Sequence, residues 1–147
     1  MIVYPDTSFI LSLWHTGDSN YTEALKLFSR LSGDTWLWCD LHQLEVPVAA
    51  QVATHREPEG LQEHIARTIV FRAERAVARG GFLRKALPPE AVNFALSLAN
   101  AYGWGAKHTT LDLWHIGAAW ELGANYFATF DGRQAEVARS VSFSTNL

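Results

Sequence analysis

Residues 109–134 read TTLDLWHIGAAWELGANYFATFDGRQ, and the reading of this stretch decides the fold. Thr109 is suited to cap a helix, and Asp112, three residues on, completes a variant capping box. Leu113, Ile116, Trp120 and Ala124 recur near helical period, which predicts one apolar face. Gly123 stops the helix. After Asn125, Tyr126–Phe130 is a short apolar run of the kind found in strands covered on both faces. Asp131 follows at once, with Gly132 permitting a sharp turn. A helix running directly into a covered strand is half of a parallel α/β unit. It sets Asp112 at a helix start and Asp131 at a strand's carboxyl end, where open α/β sheets carry their sites.

The N-terminus repeats the second half of that pattern. Met1–Tyr4 is a short apolar strand, broken by Pro5-Asp6-Thr7-Ser8. Two covered strands that each end in an aspartate predict neighbours at the sheet centre, with both carboxylates at one edge. Between them the chain alternates helices and short strands. Ser8 to Trp14 starts a helix, and Tyr21–Leu31 forms another, with Ala24, Leu25, Phe28 and Leu31 on one face. Trp36–Cys39 is the second strand, and Asp40 with Gln43 makes a capping box opening a helix that carries Glu45. Pro47 either kinks that helix or marks its regular start, and both versions keep Glu45 close to the end of the second strand. Arg56–Gly60 is a polar break, Leu61–Arg79 a long helix, Phe82–Leu87 a short strand and Ala91–Tyr102 a helix opened by Pro88-Pro89. Gly103-Trp104-Gly105 leads into the Thr109 stretch, Arg133–Ser140 is a short helix, and Val141–Phe143 an edge strand.

Composition narrows the function. The chain has 147 residues, 48% apolar and 18% charged, which predicts one globular domain over 1–147 with a proper core. A net charge of −3 argues against a generic polyanion binder, so nucleic-acid contact must come from a local patch or a bound metal. Six of the twelve Lys and Arg residues fall between Arg67 and Lys85; Arg72, Arg75 and Arg79 in that run are candidates to touch an RNA backbone or an acidic protein segment. Cys39 is the only cysteine, which excludes internal disulfides and cysteine-rich zinc sites. The start lacks a basic leader and no apolar run has membrane-spanning length, so the cytoplasm is the expected compartment.

Four segments together resemble a known family. PDTSFI at the start, LEV around Glu45, LDLWHIGAA around Asp112 and FATFDGRQ around Asp131 are similar, in order and spacing, to the four acidic blocks of PIN-domain ribonucleases. The likeness is greatest to the VapC-group toxins of type II toxin–antitoxin pairs. It implies a three-layer α/β/α domain with a central parallel sheet of four to five strands. It also implies that Asp6, Glu45, Asp112 and Asp131 are catalytic and bind Mg²⁺ or Mn²⁺. The expected activity is cleavage of single-stranded or looped RNA, and the expected partners are an antitoxin and a second copy of the chain. The chemistry is consistent with those residue types. Phosphodiester hydrolysis needs charge neutralised and a water activated, and hard oxygen-liganded cations do both. Ser8 and Thr129 occupy positions where the family carries small polar residues, and are expected to orient carboxylates or metal waters. Thr7 is a weaker candidate for the same task. His115 reads as a histidine hydrogen-bonded within the fold.

Other readings stay weaker. Taken singly, each aspartate could be a helix cap or turn former. A haloacid-dehalogenase-type phosphotransferase also starts with Asp after a strand, but needs a second acid where this chain has Ser8. A non-catalytic PIN-like scaffold would have signalled itself by losing one of the four acids, and none is lost.

Overall fold

A computed structural model describes residues 1–56, 60–102 and 107–147. The expected break around Glu57–Glu59 and the Gly103-Trp104-Gly105 lead lie outside the described residues. The elements run β1 (Ile2–Pro5), α1 (Thr7–Trp14), α2 (Tyr21–Arg30), β2 (Thr35–Trp38), α3 (Asp40–Ala53), α4 (Glu63–Ala78), β3 (Leu83–Arg84), α5 (Ala91–Tyr102), α6 (Thr110–Glu121), β4 (Tyr126–Ala128), α7 (Gly132–Ser140) and β5 (Ser144–Thr145). All strand pairs are parallel, in the order β3-β2-β1-β4-β5. The first strand is therefore central and the strand before Asp131 is its neighbour, with Val3 opposite Tyr126 and Pro5 opposite Ala128.

Strand side chains alternate between two cores, as a period of two dictates. Val3, Trp36, Trp38, Tyr126 and Ala128 join Phe9, Ile10, Leu27, Val46, Ala73 and Phe82 under α1–α4. Tyr4, Leu37 and Phe127 point the other way, against Ala95, Leu98, Ile116 and Val137 of α5–α7. This is the three-layer arrangement expected for short strands apolar at every position. Phe127 is fully buried, and trimming such a side chain to alanine costs about 3–5 kcal/mol. Gly117 lets α5 and α6 approach closely, because a Cβ there would stand 2.3 Å from the Ala91 carbonyl oxygen. Gly123 ends α6 with φ +71°, and Ala124 N–H reaches back to the Ala119 carbonyl oxygen at 3.0 Å.

Several local expectations shift. Pro5 closes β1 instead of following it, and the next ladder bond comes from Asp6 N–H to the Ala128 carbonyl at 2.8 Å, so the missing proline N–H leaves no gap. The cap of α3 sits one residue earlier than the expected Asp40–Gln43 box: Cys39 N–H donates to His42 Nδ1 at 2.9 Å, and Asp40 instead accepts Leu87 N–H. Helix α3 runs unbroken through Pro47. The bond lost at the Gln43 carbonyl falls on the exposed side of the helix, while Val46 and Ala50 stay buried. Trp120 lies 46% exposed and stacks on Phe94, so the buried face of α6 is Leu113, Ile116 and its small residues. Leu25 is likewise exposed, and Ala24 and Leu27 carry the buried side of α2. The last strand is Ser144–Thr145, beyond the expected Val141–Phe143, because Phe143 turns into the core.

Candidate functional site

Asp6 leaves β1 and caps α1. Its Oδ1 accepts Phe9 N–H at 2.8 Å. Ser8 Oγ lies 2.8 Å from both carboxylate oxygens, and Thr129 Oγ1 donates to Oδ2 at 2.8 Å. The same two hydroxyls accept from the chain after β4: Ser8 from Phe130 N–H at 3.0 Å, Thr129 from Asp131 N–H at 2.9 Å. They therefore tie the ends of the two central strands to one carboxylate. Asp6 is 4% exposed, and among the described residues it forms no ion pair. Burial pushes its carboxyl up to about 6, against the pull of Phe9 N–H, Ser8, Thr129 and His115.

Glu45 reaches the same edge from the second turn of α3. Its Oε2 accepts from the Thr7 hydroxyl and faces His115 Nε2. Burial pushes this carboxyl up, but His115 and Thr7 outweigh it and leave it below its ordinary value. Thr7, the weaker of the polar candidates in the sequence, thus holds a carboxylate that the resemblance singles out.

Asp112 and Asp131 are held by their own helices. Thr109 Oγ1 accepts Asp112 N–H at 3.2 Å and Asp112 Oδ2 accepts Thr109 N–H at 2.7 Å, the reciprocal box expected from the sequence. Asp131 caps α7, its Oδ1 accepting from Arg133 N–H at 2.9 Å and Gln134 N–H at 3.2 Å. Gly132 is thereby the first residue of α7 and has no positive φ. Arg133 Nη2 pairs with Asp131 Oδ2 at 3.0 Å, and its Nη1 donates to the Lys107 carbonyl oxygen at 2.8 Å. Burial raises the Asp131 carboxyl, and Arg133 with the helix N–H groups brings it below the ordinary range.

Gln134 and His42 carried no signal in the sequence. Gln134 is buried, donates to the Asp112 carbonyl oxygen at 3.1 Å and lies 3.2 Å from Thr129 Oγ1, linking α6 to the Asp6 cluster. His42 sits under the strand ends, between Cys39 N–H and the Pro5 carbonyl oxygen at 2.7 Å. One neighbour only donates and the other only accepts, so the ring is a neutral Nε2–H tautomer. Burial holds its pKa down to about 3. The three candidate arginines of α4 and its end, Arg72, Arg75 and Arg79, are all exposed, beside an exposed Phe71.

Among the described residues no three His, Cys, Asp or Glu side chains converge closely enough to hold one ion. The donor set nonetheless suits a hard divalent cation. It is all oxygen, and Asp6 is a buried carboxylate supported by neutral donors alone. Such a cation keeps several waters and needs only one or two direct carboxylates.

The family model of the PIN domain matches residues 3–140. No curated protein matches the sequence. Among solved structures, the chain is similar to Mycobacterium tuberculosis VapC20, described as a sarcin-ricin loop cleaving toxin, with TM-score 0.67 and 15% identity over 91% of this chain and 93% of that one. It is also similar to VapBC2 from Rickettsia felis bound to a promoter DNA fragment (TM-score 0.65, 11% identity, 99% and 98% covered). VapBC-1 from nontypeable Haemophilus influenzae gives TM-score 0.62 and 19% identity, with 99% and 97% covered. At these identities the likeness speaks for the fold.

Proposed function

The chain belongs to the PIN domain family, and from that premise we propose that it is a metal-dependent endoribonuclease acting on single-stranded or looped RNA. The observation that carries this reading is Asp6: a buried carboxylate at the carboxyl edge of the central strand, supported only by neutral donors. Asp6, Glu45, Asp112 and Asp131 would hold Mg²⁺ or Mn²⁺. When bound, the cation supplies an activated water and neutralises charge on the scissile phosphate. The protein's own share is to orient the carboxylates. Ser8 and Thr129 fix both oxygens of Asp6, Thr7 fixes Glu45, and Gln134 keeps the start of α6 against the Asp6 cluster. Arg72, Arg75 and Arg79 are the proposed contacts for RNA backbone or for an acidic segment of an antitoxin.

In this reading the chain is one domain, the toxin of a toxin–antitoxin pair, working as a homodimer in the cytoplasm. VapBC complexes among the similar structures support an antitoxin partner. Among the described residues no helix is long and apolar enough to cross a membrane.

The test is cleavage of a labelled single-stranded RNA with EDTA, Mg²⁺ or Mn²⁺, using Asp6→Asn as the control. Activity restored by metal and absent in the variant is the expected result. Metal-independent cleavage, or RNA binding with none, would sink it, and the latter favours a non-catalytic scaffold. Replacing Arg72, Arg75 and Arg79 together should flatten the salt dependence of RNA binding by a slope of about 2, at roughly 0.7 per lost phosphate contact. An unchanged slope would leave the run a solvated helix face.

A further inference from the structure

We propose that His115 is a positioning residue for Glu45, oriented in turn by Tyr4, so that Glu45 presents its Oε1 to the cation. The inference rests on the metal-nuclease reading and adds a device to it. His115 is 2% exposed, and both of its ring nitrogens are engaged: Nδ1 stands 2.8 Å from Tyr4 Oη, and Nε2 meets Glu45 Oε2. A carboxylate only accepts, so Nε2 carries the proton. Nδ1 faces Tyr4 Oη, which in turn stands 3.3 Å from Cys39 Sγ. Cys39, Tyr4, His115 and Glu45 thus form one hydrogen-bonded line of side chains.

The geometry goes beyond filling a core. Tyr4 is fully buried, its ring stacked on Phe127 at 5.7 Å and beside His42 at 4.7 Å, so its hydroxyl has little freedom. Two donors from different elements converge on one oxygen of Glu45. Thr7 follows Asp6 directly, and His115 lies one helical turn beyond Asp112. They tie Glu45 to the two segments that carry Asp6 and Asp112. Among the described residues Oε1 receives no hydrogen bond, and the Glu45 side chain is 21% exposed. One oxygen is locked and the other is free to bind. Partners that orient a ligating carboxylate in this way are worth about 10–100-fold in metal affinity.

Three variants test it: His115→Gln, whose amide nitrogen falls near the place of Nε2; His115→Asn, which keeps a partner for Tyr4 and loses the reach to Glu45; and Tyr4→Phe. The readouts are the Mn²⁺ dissociation constant by calorimetry and the metal-induced rise in melting temperature, with folding checked by circular dichroism. His115→Asn should bind Mn²⁺ about 10–100-fold more weakly. His115→Gln should stay within a few-fold of wild type, and Tyr4→Phe should fall between. At saturating Mn²⁺ the kcat of folded variants should largely recover, because the residue positions and does not react. Wild-type Mn²⁺ affinity in folded His115→Asn overturns the proposal; should that variant not fold, unchanged affinity in Tyr4→Phe overturns it equally. If wild type itself shows no Asp6-dependent Mn²⁺ binding, the metal reading falls and takes this inference with it.

Discussion

The acidic edge has two halves built on opposite principles. Asp6 caps α1 through Phe9 N–H and Ser8, but it and Glu45 are also held by residues far away in sequence: Thr129 lies 123 positions from Asp6, and His115 lies 70 from Glu45. Asp112 and Asp131 are held by residues two or three positions away, in caps any helix start can offer. The first half is set up by the tertiary fold at a desolvation cost, visible in the raised Asp6 carboxyl. The second half stabilises its own helices, and the Asp131 carboxyl is lowered by them. Removing a charge should therefore cost activity in both halves but move stability in different directions.

The largest expected effect is on cleavage. Asp6→Asn and Asp112→Asn should each lower the rate by roughly three orders of magnitude, because each removes a negative charge that a divalent cation needs. Their metal-free melting temperatures should part company. Asp6→Asn relieves a buried charge and should melt higher, whereas in Asp112→Asn the amide caps about as well and the change should be small. Wild-type cleavage by Asp112→Asn would show that half to be capping alone.

Next comes the pH dependence of stability in EDTA. Asp6 has a folded pKa of about 6 against an ordinary 3.8. Its contribution is fully present below 3.8 and is lost as pH rises through 6, a change of about 3 kcal/mol at about 1.4 kcal/mol per unit. The advantage of Asp6→Asn over wild type should thus be near zero at pH 4 and largest at pH 7. Asp131 is lowered, so its contribution is present above 3.8 and lost as pH falls. Asp131→Asn should be less stable than wild type at neutral pH, with the gap closing in acid. His42, held near 3 against 6.5, adds an acid-side loss common to all these variants. Denaturant titrations at pH 4, 5.5 and 7 measure the differences, and two curves of the same sign would break the contrast.

The smallest effect concerns Arg133. Arg133→Gln frees Asp131 from a solvent-exposed pair, so stability should change little. The metal concentration for half-maximal cleavage should drop a few-fold, because a competing cation is gone. A rise instead would mean that Arg133 serves the RNA.

What the sequence determined by itself is local or periodic. The Thr109–Asp112 box and the Gly123 stop follow from residues within a few positions of each other, where capping fixes the outcome. The two covered strands and their adjacency at the sheet centre follow from the apolar run ending in Asp that both share. Only the tertiary structure decided how Pro47 is accommodated: the choice between a kink and a later helix start depends on Val46 and Ala50 being packed. It alone turned Trp120 outward onto Phe94 and Phe143 inward. It alone joined Thr129 to Asp6, Gln134 to Asp112, His115 and Thr7 to Glu45, and Tyr4 to His115. Most of those bonds link segments separated by tens of residues. Each spans about 3 Å, so a shift of one residue in strand register, or one turn in a helix, would abolish it. Short-range preferences carry no information at that precision; only the packed sheet does.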